Sequence, residues 1–236
     1  MLNNLIFTQK VNKMKKDTLV AILTYNEENN ISNVLKDVCE NFNNILVIDN
    51  NSDDSTTEKV KKFPVILIKH KYNLGKSDSM KTALEFAKLK KYKYLAFMDG
   101  DGQHKSIDLL NVCKKIYETD NQLVIGFREK LFNLNLKKRV GTLILQKLFR
   151  ILYQRKVYDI QSGLRIFDIS IHNKIYWTSS GINHYFADAE ITCNAVKNGC
   201  RIDQIPIATY SSESYKGMNI VQGLNLIFMI IFWRFF

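Results

Sequence analysis

The segment FMDGDGQH, residues 97–104, places two carboxylates around one glycine directly after an apolar run. Oxygen ligands suit a hard cation such as Mg²⁺ or Mn²⁺, which takes few ligands from protein when phosphate oxygens complete its shell. Gln103 and His104 add an amide oxygen and an imidazole to Asp99 and Asp101. Because aspartate and glycine are also common turn residues, the segment by itself fits either a metal site or an ordinary turn.

The elements that must position these carboxylates are apolar runs that alternate with helical stretches from Thr18 onwards. Near-continuous apolar runs are typical of strands buried in a parallel sheet, and their alternation with helices predicts an α/β fold with helices on both faces. The predicted strands are TLVAILT, NILVID, VILIKH and YKYLAFMD, separated by helices at 28–41, 54–62 and 77–90.

Polar clusters follow three of these strands at their carboxyl ends. YNEEN follows the first strand, DNNSDDS the second and DGDGQH the fourth. Ligands of open α/β sheets bind at the carboxyl edge of the strands. The convergence of three polar clusters therefore predicts a ligand site at this edge.

Length and charge narrow the class of protein. A chain of 236 residues with 46% hydrophobic content is sufficient for one sizeable globular domain. The formal net charge of +11 indicates an anionic partner, which is nucleic acid, a phosphorylated ligand or an acidic membrane surface. The four cysteines form no C-x-x-C pair and are interpreted as reduced thiols.

Three segments are predicted to lie outside the α/β pattern. Residues 1–17 are interpreted as a basic N-terminal tail before a domain at 18–215. Residues 130–158 contain eight Lys or Arg and no acid, with aliphatic residues at roughly helical spacing. This pattern is typical of an amphipathic helix on an anionic bilayer, and a helix that covers the core is the alternative. Residues 216–236 are predicted to be an apolar membrane-associated segment, which fits an interfacial helix better than a complete crossing.

An ordered series of motifs between about residues 19 and 210 resembles the family 2 glycosyltransferases. The series is LTYNEENNI, VIDNNSDDST, NLGKSDSMKTAL, DGDGQH, IGFR, DIQSGLRIF and AEITCNAVKNGCRIDQIPI. It is most similar to the branch of dolichyl-phosphate mannose and glucose synthases and their prokaryotic polyprenyl-phosphate relatives. The resemblance implies a GT-A fold that binds a nucleotide-sugar and Mg²⁺ or Mn²⁺ and inverts the anomeric carbon.

The resemblance also implies a donor site. Tyr25, Asn26 and Glu27 are expected to line the nucleoside pocket, and Asp49 to contact the base or ribose. Asn50 departs from the family pattern, which has a second aspartate at this position. The residues expected to bind the nucleotide-sugar are Tyr25, Asn26, Glu27, Asp49, Lys76, Asp99 and Gly100.

The metal site implied by the resemblance consists of Asp99 and Asp101, as the D-x-D motif, with Gln103 as a further metal or phosphate contact. Lys76 follows a glycine and precedes a predicted helix. The sequence leaves two interpretations of Lys76 open, a phosphate contact and a solvated lysine at a helix start.

The catalytic residues implied by the resemblance are Asp101, two arginines and two acids. Arg128 and Arg165 are expected to face the diphosphate or the acceptor phosphate, while Asp188 and Glu190 match the acidic helix start that closes the active site. The chemistry agrees, because negative charge builds on a departing diphosphate and cations must stabilise it. A phosphate monoester with a second pKa near 6 is already a dianionic nucleophile and needs no general base.

These observations predict transfer of a sugar, a hexose or an N-acetylhexosamine, from a UDP- or GDP-sugar to a polyprenyl phosphate at the cytoplasmic face of a membrane. A family 2 enzyme that acts on a hydroxyl of a glycan is the first alternative. A nucleotide-binding or nucleic-acid-binding module without catalysis is the second. Nucleic acid is disfavoured because 130–158 interleaves its cations with aliphatic residues, whereas nucleic-acid sites favour aromatic platforms in basic grooves.

Overall fold

The computed structural model describes residues 2–128, 136–175, 186–208 and 220–236. Residues 130–135 of the predicted amphipathic segment lie outside the described residues.

A seven-stranded sheet forms the centre of the described structure, in the order β3-β2-β1-β4-β6-β5-β7. Strand β6 runs antiparallel to both of its neighbours, while the other neighbouring pairs are parallel. The mostly parallel α/β architecture predicted from the alternating pattern is therefore confirmed, and it agrees with the GT-A fold that the resemblance implies. The strands are β1 (Thr18–Thr24), β2 (Ile45–Asp49), β3 (Ile66–Lys69), β4 (Tyr94–Asp99), β5 (Leu123–Arg128), β6 (Arg165–Asp168) and β7 (Ile202–Ile207).

Helices lie on both faces of this sheet, and a 3₁₀ turn at Ile169–Lys174 follows β6. The described helices are α1 (Leu2–Asp17), α2 (Ile31–Asn41), α3 (Thr56–Val60), α4 (Lys76–Leu89), α5 (Ser106–Glu118), α6 (Leu136–Tyr153), α7 (Ala187–Lys197) and α8 (Ile220–Phe235).

The central strand β1 is buried along its whole length, which explains why its sequence shows no polar alternation. Leu19 and Ala21 pack into one hydrophobic cluster, and Val20 and Ile22 pack into a second cluster on the opposite face. Each fully buried Val, Leu or Ile side chain contributes about 1.5–3 kcal/mol to the free energy of folding. The two clusters therefore fix the sheet between its helix layers.

The strand register brings the polar clusters to one edge. Thr24, at the end of β1, is opposite Asp49 at the end of β2. On the other side of β1, Leu23 is opposite Asp99 at the end of β4. The carboxyl ends of three neighbouring strands thus meet, as the polar clusters after these strands predict.

Within the segment interpreted as a basic N-terminal tail, Leu2–Asp17 form helix α1. Met14 is buried in the cluster that contains Val20 and Ile22. The C-terminal turn of α1 carries Lys15 and Lys16, whose charges complement the negative end of the helix dipole. Val11 also packs against this cluster, and two apolar residues within the largely polar stretch at 9–17 are a weak sequence signal.

Helices α6 and α8 pack against each other and against the domain core. Phe149 and Tyr153 of α6 and Ile230 of α8 belong to one buried cluster. The Tyr153 hydroxyl donates a hydrogen bond to the Ile230 carbonyl at 3.0 Å, and Arg234 Nε donates to the Leu152 carbonyl at 2.8 Å. The segment predicted at 216–236 therefore contributes, through α8, to the core of the domain.

Each of these two helices also exposes an apolar face. The exposed aliphatic and aromatic residues are Val140, Leu143, Ile144 and Ile151 on α6, and Val221, Leu224, Phe228, Ile231, Phe232 and Phe235 on α8. We call this set the α6–α8 apolar face. Among the described residues, no helix has the length and apolar character needed to cross a membrane.

Candidate active site

A cavity of about 480 Å³ opens at the carboxyl edge of β1 and β4. Most of its lining comes from the loops after these strands, from the start of α4 and from the loop before β6. The lining residues are Leu23, Thr24, Tyr25, Glu27, Asn50, Asn73, Gly75, Lys76, Ser79, Asp99, Gly100, Asp101, Gln103, His104, Arg128, Gln161, Ser162, Gly163 and Asp188.

Lys76 joins two acidic residues at the centre of the cavity. Its ammonium lies 2.7 Å from Asp99 Oδ1 and 2.7 Å from Asp188 Oδ2. Burial raises the pKa of the Asp99 carboxyl, but the positive charge and hydrogen bond of Lys76 outweigh burial and hold that pKa below its ordinary value. Asp99 is therefore ionised at neutral pH, and Lys76 is a cavity residue rather than a solvated lysine.

The turn after β4 orients Asp101 and Gln103. Gly102 adopts a φ of 79°, which favours glycine, and allows the chain to fold back so that the Gln103 amide N–H donates to Asp101 Oδ1 at 3.0 Å. The Gln103 side-chain amide donates to Asp101 Oδ2 at 2.7 Å. Burial, reinforced by the negative charge of Asp99, raises the pKa of Asp101 to about 6.

These side chains suit a divalent cation that is bound together with a phosphorylated ligand. Asp99 and Asp101 line one cavity and offer carboxylate oxygens, and Gln103 adds an amide oxygen. Burial and the negative charge of Asp99 raise the pKa of Asp101, so a cation bound beside both carboxylates would favour their ionised forms. No group of three or more His, Cys, Asp or Glu side chains among the described residues is arranged to hold a metal alone. The donor set therefore fits Mg²⁺ or Mn²⁺ whose remaining ligands are phosphate oxygens.

Gly163 forms the wall behind Asp99. A Cβ atom at this position would overlap Asp99 Oδ2, so only glycine permits the observed position of the carboxylate. Gly163 belongs to the motif DIQSGLRIF, in which the resemblance implies a role for Arg165 and none for the glycine. The close approach arises from the antiparallel pairing of β6 with β4, which the sequence does not reveal.

Arg165 lies beneath the cavity and does not line it. Its guanidinium is fully buried, donates to the carbonyls of Ser162 and Asp188 and to Thr192 Oγ1, and forms an ion pair with Asp188 at 3.3 Å. The structure therefore places Arg165 as a support for Asp188, and not facing a bound phosphate as the resemblance implies. Glu190 is also fully buried and does not reach the cavity.

Arg128 reaches the cavity from the end of β5. Its Nε donates to Asp159 Oδ2 at 2.6 Å, and its side chain keeps 20% of its surface exposed. A guanidinium that a carboxylate orients at the wall of a cavity is suited to binding a phosphate. Asp159, which the sequence analysis does not single out, thus fixes the orientation of the predicted phosphate-binding arginine.

Tyr25 and Glu27, from the loop after β1, line the cavity, as the predicted nucleoside pocket requires. Asn26 does not line the cavity; with a φ of 56°, it accepts a hydrogen bond from the Asp53 amide and donates its own amide to Ser52 Oγ at 2.9 Å. Asn26 therefore holds together the loops after β1 and β2.

Asp49 is fully buried and does not line the cavity either. It accepts hydrogen bonds from the Ser52 amide and from the hydroxyls of Ser52 and Thr57. Asn50 lines the cavity instead. Its side chain accepts from the Leu74 amide at 2.9 Å and donates to Asn73 Oδ1 at 2.7 Å.

His104 is a further cavity residue. It is only 6% exposed, and burial lowers its pKa to about 4, so its imidazole is neutral at physiological pH. Its Nδ1 has no hydrogen-bond partner among the described residues. The sequence suggests a polar role for His104 through its place in DGDGQH, but burial of the ring is visible only in the structure.

Comparisons with known proteins agree with this geometry. The chain is 32% identical over 235 residues to an uncharacterized protein of Methanocaldococcus jannaschii, with 96% of each chain covered. It is 29% identical to the UDP-N-acetylglucosamine–dolichyl-phosphate N-acetylglucosaminyltransferase of Methanococcus voltae, with 91% of this chain and 96% of that protein covered.

Among solved structures, the fold is similar to that of glucosyl-3-phosphoglycerate synthase from Mycobacterium tuberculosis in complex with Mn²⁺, UDP-glucose and phosphoglyceric acid. The TM-score is 0.74 at 13% identity, and 95% of this chain and 83% of that chain are covered. The model of the family described as glycosyl transferase family 2 matches residues 19–179. The motif series, the sheet topology and this match together establish that the chain belongs to glycosyl transferase family 2.

Proposed function

We propose that the protein transfers a sugar from a nucleoside-diphosphate sugar to a polyprenyl phosphate at a membrane surface, with inversion at the anomeric carbon. The observation that supports the donor half of this proposal is the cavity at the sheet edge. There, two carboxylates suited to a divalent cation, Asp99 and Asp101, lie beside two cationic side chains, Lys76 and Arg128. Such a combination matches a metal-bound diphosphate better than any neutral ligand.

The cations in the cavity suit the chemistry of the leaving group. As the bond between the anomeric carbon and the diphosphate oxygen breaks, negative charge grows on the departing nucleoside diphosphate. A divalent cation held by Asp99, Asp101 and Gln103 would supply Lewis-acid stabilisation of that charge. Arg128, oriented by Asp159, donates hydrogen bonds to the same phosphate oxygens.

The surroundings of Asp188 favour a phosphate acceptor over a hydroxyl acceptor. A hydroxyl must lose its proton to a base, but Asp188 is paired with Lys76 on one side and with buried Arg165 on the other. Burial raises the pKa of Asp188, but its Oδ2 is held by the Lys76 ammonium at 2.7 Å and its Oδ1 by the Arg165 guanidinium at 3.3 Å, so neither oxygen is placed to take a proton from an acceptor. A phosphate monoester attacks without deprotonation, because it is already a dianion at neutral pH. Its oxygen forms the new bond to the anomeric carbon as the nucleoside diphosphate leaves with the bonding electrons.

The α6–α8 apolar face supports a lipid-linked acceptor. Phe228 and Phe235 are each about two-thirds exposed, and Leu224 is 60% exposed. Lys147 and Arg150 lie on the exposed surface of α6 next to its aliphatic residues. Apolar side chains flanked by cations are suited to the headgroup region of an anionic bilayer. The M. voltae relative, whose name specifies a dolichyl-phosphate acceptor, adds independent support.

The proposal is tested by incubating the purified protein with a panel of radiolabelled UDP- and GDP-sugars, Mn²⁺ and vesicles that contain polyprenyl phosphate. The proposal predicts that label from at least one donor moves into the organic phase and is released by mild acid, as a glycosyl phosphate is. Asp101→Asn serves as the control for label carried over without transfer. Label found only in water-soluble glycans would favour a hydroxyl acceptor instead.

A further inference from the structure

The Lys76 ammonium connects three separate elements of the fold. It extends from the first residue of α4 to Asp99 at the end of β4 and to Asp188 in the first turn of α7, at 2.7 Å from each. The Lys76 side chain is only 21% exposed, so water screens these two ion pairs weakly. Burial lowers the pKa of Lys76, but the charges of Asp188 and Asp99 outweigh burial and raise it above its ordinary value. The Lys76 ammonium is therefore positively charged at neutral pH.

Both carboxylate oxygens of Asp99 are engaged by the protein. Oδ1 accepts a hydrogen bond from the Lys76 ammonium, and Oδ2 lies against Gly163, where even a Cβ atom would not fit. A divalent cation binds a carboxylate oxygen at about 2.0–2.6 Å. At that distance from Oδ1 the cation would lie within a few ångströms of the ammonium, and the two positive charges would repel each other.

We propose that Lys76 and the divalent cation compete for Asp99 Oδ1, and that a metal-bound donor displaces the ammonium from Asp99 while Lys76 keeps its ion pair with Asp188. The inference rests on the proposed function and adds to it a difference in affinity between the cation alone and the cation with its donor. The cation alone binds weakly, because it must break an ion pair. The cation with its donor binds tightly, because the diphosphate offers the displaced ammonium new negative charge.

Competition and a purely structural role of Lys76 predict opposite changes in metal affinity when Lys76 is removed. If Lys76 only held Asp99 and Asp188 in place, its removal would loosen the carboxylates and weaken metal binding. If Lys76 competes, its removal leaves Asp99 as an unpaired carboxylate and strengthens metal binding. Metal affinity without donor therefore separates the two roles, and it requires no measurement of turnover.

The test measures binding of Mn²⁺ through the electron paramagnetic resonance signal of the free ion. The proteins compared are the wild type, Lys76→Met and the control Lys81→Met. Lys81 lies on the same helix as Lys76, but its ammonium pairs with Asp78 outside the cavity. Competition predicts that Lys76→Met binds Mn²⁺ alone at least tenfold more tightly than the wild type. Lys81→Met should match the wild type.

Separate titrations with UDP and with GDP complete the test. In the wild type, the nucleotide that binds should tighten Mn²⁺ binding strongly, and by linkage Mn²⁺ should tighten nucleotide binding by the same factor. In Lys76→Met this factor should fall at least tenfold, because no ammonium is released. Equal or weaker binding of Mn²⁺ by a folded Lys76→Met protein would overturn the competition and leave the proposed function intact. If the wild type binds no Mn²⁺ with either nucleotide, both proposals fail.

A second variant keeps the inference testable if Lys76→Met does not fold. Asp188→Asn retains the shape of the side chain and leaves the ammonium to Asp99 alone. Competition then predicts Mn²⁺ binding at least threefold weaker than in the wild type. Unchanged or tighter binding by Asp188→Asn would contradict it.

Discussion

Arg165 lies beneath the cavity and forms an ion pair at 3.3 Å with Asp188, which lines it, and the Arg165 guanidinium is fully buried. This relationship makes Arg165 a structural support, whereas Arg128 is partly exposed inside the cavity. The two arginines should therefore respond differently to the same conservative substitution.

Arg165→Lys should lower stability. Lysine keeps the charge but loses the planar fork that serves Ser162, Asp188 and Thr192, and so leaves buried acceptors without donors. We expect the free energy of unfolding in urea to fall by about 2–4 kcal/mol. A denaturation curve that matches the wild type would show that the buried network contributes little.

Arg128→Lys should lower turnover with little change in stability. Loss of bidentate phosphate contact is expected to reduce kcat at least tenfold, which corresponds to about 1.4 kcal/mol in the activation barrier. The urea midpoint should stay near that of the wild type, because the side chain is partly exposed. Steady-state kinetics of sugar transfer provide the measurement, and wild-type kinetics would remove Arg128 from the phosphate site.

Gly163→Ala should damage the metal site while preserving the fold. The added methyl group would overlap Asp99 Oδ2, so the carboxylate must rotate away from its position beside Lys76. We expect the affinity for Mn²⁺ in the presence of nucleotide to fall at least tenfold, with an unchanged circular dichroism spectrum. The matched control is Gly141→Ala in α6, where a Cβ atom meets nothing within 4 Å.

The sequence predicts the elements that form the site but not the contacts of Lys76, Gly163 and Arg165. The buried strands, the D-x-D turn and the convergence of three polar loops follow from apolar runs and turn residues, which are local signals. The Lys76–Asp188 pair joins positions 112 residues apart, and the wall at Gly163 depends on an antiparallel strand inserted beside β4. Both are products of tertiary packing, which no local pattern encodes. For the same reason, the motif containing Arg165 suggests a phosphate ligand, but strand geometry turns its side chain into the protein.

The α6–α8 apolar face should mediate binding to lipid. Leu224→Ser combined with Phe228→Ser removes two large exposed apolar groups and should reduce recovery with floated anionic liposomes at least tenfold, at any salt concentration. Lys147→Glu with Arg150→Glu should reduce recovery mainly at low salt, because salt screens charge. Leu89→Ser, which alters an exposed leucine on α4, is the control. Equal flotation of all variants would show that the α6–α8 apolar face does not bind lipid.

The buried thiols should resist alkylation. Burial raises the pKa of Cys193 to about 12 and also raises that of Cys113, so at pH 8 almost no thiolate is present. Because the thiolate is the nucleophile, reactivity should rise with pH but stay low wherever the protein is folded. Iodoacetamide at pH 8 should label partly exposed Cys39 first, as seen by mass spectrometry, and Cys193 at least 100-fold more slowly than in urea. Rapid labelling of native Cys193 would contradict the packing of α7.

Sugar transfer to a lipid phosphate is tested by two acceptors that differ only in the phosphate group. Purified protein, labelled donor and Mn²⁺ are incubated with a polyprenyl phosphate or with the polyprenol of equal chain length, each in the same vesicles. We expect transfer to the phosphate at least 100-fold faster than to the alcohol, with loss of transfer in EDTA and in Asp101→Asn. Equal or preferred transfer to the alcohol, or transfer that survives both EDTA and Asp101→Asn, would contradict it.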